Sequence, residues 1–71
     1  MNGAAQTVIT LTRGASQWLA TWAGPEAEHV EELFGTATIP TPFSASMAPD
    51  RLLASIRALN PECIVRIGGG A

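Results

Sequence analysis

Lysine and tyrosine are absent from this sequence, and cysteine and histidine each occur once, as Cys63 and His29. A single cysteine excludes an intramolecular disulfide, and one cysteine with one histidine excludes a zinc cluster built within one chain. The four basic residues are all arginine (Arg13, Arg51, Arg57, Arg66) against six acids, a net charge of −2. That balance lacks the basic footprint of a nucleic-acid binder. Even four phosphate contacts would give a salt slope of only about −3.6 on duplex DNA. The uncharged stretch over residues 36–49 is broken by prolines and cannot span a bilayer. The opening MNGAAQ has neither a basic region nor the apolar stretch of a secretory leader. The expectation is a soluble, cytoplasmic protein without a membrane segment.

Catalytic motifs are equally scarce. There is no G-x-S-x-G, and the closing glycines have no helix after them to make a phosphate loop. Residue 2 is Asn2, which excludes an N-terminal proline base. His29 lies three residues from both Glu26 and Glu32, a spacing that suits a weak divalent-metal site or an acid/base pair. The same spacing describes a solvated helix face, and no second histidine supports a metal. Cys63 has no base near it in sequence and reads as a core residue. No catalytic, cofactor-binding or metal residue is assigned, and a small enzyme or metal protein using His29 is the third-ranked reading.

Hydrophobic residues make up 46% of the chain and charged residues 14%. A chain this short forms one small domain with a marginal core, and such domains are commonly completed by disulfides, metal or self-association. With the first two excluded within one chain, the composition points to a homo-oligomer.

The β-branched TVITLT, residues 7–12, predicts a strand. QWLATWA, residues 17–23, fits a helix face through Trp18 and Trp22, and fits a second strand better. With Gly14 and Ala15 at the centre of a type II′ turn, Leu11 opposes Trp18 and Ile9 opposes Ala20. Ile9, Leu11, Trp18, Ala20 and Trp22 then share one apolar face, as a half-covered antiparallel sheet requires. A helix follows, with Gly24 as N-cap, Pro25 at the first position, an apolar stripe of Ala27, Val30, Leu33 and Phe34, and Gly35 at its end. A second helix over residues 48–59 opens at Pro49, buries Leu52, Leu53, Ile56 and Leu59, and stops at Asn60-Pro61. The last element, residues 62–67, is a strand.

Between the helices lies GTATIPTPFSASMA, long for a structureless loop. An extended chain covers ~3.3 Å per residue against ~1.5 Å for a helix, so this strap could run back along the first helix. The last strand would then pair antiparallel to the first; a parallel arrangement stays open. The resulting expectation is an α+β domain, ββααβ, with a three-stranded antiparallel sheet of order 2-1-3 and two helices on one face. The Pro/Thr strap connects the helices, and residues 1–6 and 68–71 are flexible.

The uncovered face would hold Val8, Thr10, Thr12, Leu19, Thr21, Ile64 and Arg66, an apolar and threonine-rich candidate for association. The free edge of the second strand, residues 16–23, is a candidate for edge pairing. In the strap, Thr36, Thr38 and Thr41 are the candidate contact residues, with Ile39, Phe43 and Met47 turned inward. The leading functional reading is a small non-enzymatic protein-interaction module that forms a homodimer and engages another protein. The alternative is a weak nucleic-acid-binding accessory protein.

Overall fold

The computed structural model describes residues 6–68. The flexible termini expected from the sequence fall almost wholly outside this range. Six elements follow in order: β1 (Val8–Arg13), β2 (Gln17–Ala23), α1 (Ala27–Phe34), β3 (Thr38–Ser44), α2 (Pro49–Leu59) and β4 (Ile64–Ile67). The class is α+β, but the sheet has four strands in the order β3-β2-β1-β4 and is mixed. β1 pairs antiparallel with β2 and parallel with β4.

The expected strap is the source of both differences. Its central part is strand β3, antiparallel to β2. β3 therefore runs in the same direction as β1, α2 returns across the sheet, and β4 runs parallel to β1 rather than antiparallel. β2 is consequently an interior strand, so its proposed free edge does not exist.

The hairpin register is displaced by two residues. Leu11 pairs with Ala20, Ile9 with Trp22 and Arg13 with Trp18. Side chains alternate with period two, so this shift preserves every facing. The turn centres on Ala15 and Ser16, with the Gly14 amide donating to the Gln17 carbonyl at 3.0 Å. No residue of this turn has positive φ, which overturns the type II′ expectation. Gly14 is there for room, since a Cβ would strike the Gln17 carbonyl oxygen.

β3 carries Pro40 and Pro42, which cannot donate to a ladder and belong on an edge strand. Gln17 pairs with Ser44 and Leu19 with Pro40, so Thr41, Pro42 and Phe43 together oppose Trp18. Side chains satisfy the backbone at this bulge. The buried Thr41 hydroxyl donates to the Trp18 carbonyl at 2.8 Å and accepts from the Phe43 amide at 3.2 Å. The Gln17 side-chain amide donates to the Thr41 carbonyl at 2.8 Å.

The core joins one sheet face to one helix. Ile9, Leu11, Trp18, Ala20 and Val65 pack with Leu52 and Ile56 of α2. Each fully buried aliphatic side chain is worth about 1.5–3 kcal/mol. The Trp18 indole donates to the Met47 carbonyl at 3.1 Å and so fixes the chain entering α2. Pro49 occupies the first turn of α2 as expected. At its end the Asn60 amide donates to the Ile56 and Arg57 carbonyls, and Pro61 blocks continuation.

α1 contributes nothing to this core. Only Val30 of its stripe is buried, and Val30 lies outside the core cluster. The expected layer of two helices is thus a layer of one. Helix α1 begins at Ala27 rather than Pro25, after a turn in which the Ala27 amide donates to the Gly24 carbonyl. Gly24 is no N-cap but a left-handed residue, φ 105°. Gly35 ends the helix as expected, φ 79°, its amide donating to the Glu31 carbonyl at 2.7 Å.

Candidate functional site

The two faces of the sheet present different surfaces. The strand registers place Val8, Thr10, Thr12, Leu19, Thr21, Ile64 and Arg66 together on the face opposite the core. β3 adds Thr38 beside Thr21 and Pro40 beside Leu19. Much of the polarity here is already paired. The Thr21 and Thr38 hydroxyls share a hydrogen bond of 3.0 Å, and the Arg66 Nε donates to Thr10 Oγ1 at 3.2 Å. Val8, Thr10, Thr12, Leu19 and Thr21 are half-buried, and Ile64 and Arg66 are exposed.

Of the strap threonines, Thr36 and Thr38 are exposed, and Thr36 Oγ1 accepts from the Thr38 amide at 3.1 Å. Thr41 is buried with its hydroxyl bonded to the backbone of Trp18 and Phe43, and it lies in the wall of the groove described below. Arg13 lies with its guanidinium 4.7 Å from the centre of the Trp18 ring, a cation–π contact on the core side of the sheet.

On the core side, α2 packs over β1, β4 and the Trp18 and Ala20 side chains of β2, and an opening remains toward β3. The opening is an apolar groove of about 190 Å³, bounded by Ala20 and Trp22 of β2, Ile39 and Phe43 of β3, and Ile56 and Leu59 of α2. Leu59, expected to be buried, is 72% exposed at the lip. Trp22, Leu59 and Asn60 also border a second opening of about 260 Å³, which reaches Glu26, Glu62 and Cys63. The Trp22 indole N–H is buried at this junction without a partner among the described residues. Such an unmet donor costs roughly 1–3 kcal/mol.

Burial pushes the Cys63 thiol above its ordinary pKa, and the carboxylates of Glu26 and Glu62 add to the effect. The thiol is therefore protonated at neutral pH, the opposite of an activated nucleophile. His29 is exposed on α1 with Glu28, Glu31 and Glu32. Among the described residues no three metal-ligating side chains come together. No described helix is long and apolar enough to cross a membrane.

The groove was not assigned from sequence. Its signal is the alternation in TIPTPFS, where Ile39, Thr41 and Phe43 turn in and Thr38, Pro40, Pro42 and Ser44 are exposed. Reading that alternation as a strand turns Ile39, opposite Ala20 and near Trp22, and Phe43, opposite Trp18, toward the core side. No family model, curated protein or solved structure matches the chain.

Proposed function

We propose that the chain is a small non-enzymatic protein-interaction module that self-associates, with the apolar groove between α2 and the β2–β3 ribbon as its binding surface. The observation that carries this reading is the opening left between α2 and β3 on the core face. Trp22, Ile39, Phe43 and Leu59 border a concave apolar space that nothing among the described residues fills. Pockets of this character, rimmed by a few polar groups, are where proteins take up apolar groups of ligands or partners. The threonine face is the weaker surface, because the hydroxyls of Thr10, Thr21 and Thr38 and the Arg66 Nε are bonded within it. A cytoplasmic setting matches a single free thiol at Cys63.

A dilution series followed by amide chemical shifts tests the reading. Ala20, Trp22, Ile39, Phe43 and Leu59 are expected to move with protein concentration. A strictly monomeric chain, or shifts confined to Thr10, Thr12 and Leu19, would overturn it.

A further inference from the structure

The apolar groove adjoins an acidic space. Trp22, Leu59 and Asn60 form a wall shared with the second opening, about 260 Å³, which Glu26, Glu62 and Cys63 also line. The two spaces differ in chemistry. Ile39, Phe43 and Ile56 make the first one apolar. The second brings two carboxylates to the same wall, from separate segments, one just ahead of α1 and one just ahead of β4. Their field reaches inward, since they help hold the Cys63 thiol in its neutral form.

Among the described residues no cation borders either opening. Arg13 lies over Trp18, Arg57 donates to the Val65 carbonyl at 3.3 Å, and Arg66 donates to Thr10. Arg51 stands in the first turn of α2, at the other end of that helix from Leu59. Two like charges beside apolar surface leave a negative potential there, and a positive group on the partner complements it.

The shared wall has polar groups of its own. The Trp22 indole N–H is buried without a partner among the described residues. Asn60 donates its side-chain N–H to the Ile56 carbonyl at 3.0 Å, which leaves its side-chain oxygen as the acceptor. One donor and one acceptor complement a peptide unit, which presents a carbonyl and an N–H.

We infer that the groove and the acidic opening together bind one extended segment of another protein, a large apolar side chain entering the groove and a lysine or arginine two residues away reaching Glu26 and Glu62. Side chains two apart on an extended chain point the same way, so both meet one surface. This inference rests on the groove being the binding surface, and it names the chemistry of the partner that enters it. The segment competes with a second copy of the chain for the groove.

The probe is a blocked pentapeptide of alanine with phenylalanine second and arginine fourth. It is titrated into the full chain and followed by amide and indole chemical shifts. Binding is expected to move Ile39, Phe43 and the Trp22 indole on one side of the wall and Glu62 and Cys63 on the other. Glutamate in place of the peptide's arginine is expected to weaken binding about threefold or more, and so is the double variant Glu26→Gln, Glu62→Gln. Both positions are exposed, and circular dichroism checks that the variant folds. Added salt should weaken binding to the parent and leave binding to the double variant unchanged. Phenethylamine has the ring and the cation without a peptide unit and is expected to bind about threefold or more weakly than the peptide. Equal affinity for phenethylamine or for the glutamate peptide, shifts confined to one opening, or no binding of the arginine peptide would overturn the inference. A chain whose groove residues shift on dilution and that ignores the peptide would overturn the partner and leave the groove reading standing. A peptide bound on both sides of the wall by a chain that stays monomeric would overturn self-association and support this inference.

Discussion

Helices α1 and α2 are both amphipathic, and both connect two strands of the same sheet, yet only α2 seals a core. The difference lies in the ends they join. β3 and β4 both run in the direction of β1, so α2 must carry the chain back along the sheet, and it buries Leu52 and Ile56 against the strands on the way. β2 and β3 are antiparallel neighbours, so the chain leaves and re-enters the sheet at one end. α1 spans only ~12 Å at eight residues and has no distance to cover. Of its stripe only Val30 is buried. An apolar helix face predicts that burial will happen somewhere; connectivity decides whether it happens within the chain.

The largest test of this contrast is in α2. Leu52 is fully buried. Leu52→Ala is expected to destabilise the fold by about 2–5 kcal/mol, read by denaturant unfolding. A cost near zero would mean that α2 covers the sheet no better than α1 does.

Next comes the strand that separates the two helices. Thr41→Val keeps the shape but leaves the Trp18 carbonyl and the Phe43 amide without their side-chain partner. The expected cost is about 1–3 kcal/mol. Amide exchange should rise along residues 38–44 first. If exchange stayed unchanged there, the segment would be the passive strap that its prolines suggest.

The prolines explain why β3 was hard to read. Pro40 and Pro42 argue against an interior strand, and they sit correctly at an edge where side chains of Thr41 and Gln17 replace missing ladder bonds. Those bonds join residues more than twenty apart, so nothing local announces them. The core face of β1 and β2 was legible because a two-residue error in register leaves facings intact. The end of α1 at Gly35 and the start of α2 at Pro49 were legible because caps are local. The direction of β4, the exposure of Leu33, Phe34 and Leu59, and the groove itself follow from the fourth strand.

The anchors of α1 give smaller effects. A Cβ at Gly35 meets nothing within 4 Å, so Gly35→Ala isolates the strain of a left-handed residue. About 1–2 kcal/mol is expected. At Gly24 the same change adds a contact of 2.8 Å to the Gln6 carbonyl oxygen, so its cost should be the larger of the two. Equal costs would mean that the entry to α1 is not tied to β1. At the far end of α2, Cys63 supplies a pH probe. Its thiol is held above the ordinary value, so the fold favours the neutral form. Stability is fully present below the ordinary thiol range and declines as the pH rises through it, and Cys63→Ser should flatten that decline.

The smallest expected effect is the most diagnostic. Leu33 is as apolar as Leu52, occupies a helix of comparable pattern, and is 64% exposed. At concentrations low enough to keep the chain monomeric, Leu33→Ala should change stability by no more than about 0.5 kcal/mol, as surface substitutions do. A cost of the size expected for Leu52 would mean that α1 is packed within its own chain as α2 is. If the effect instead grows with protein concentration, the missing partner of Leu33 is another molecule of the same chain. The two helices would then differ only in whose core they complete.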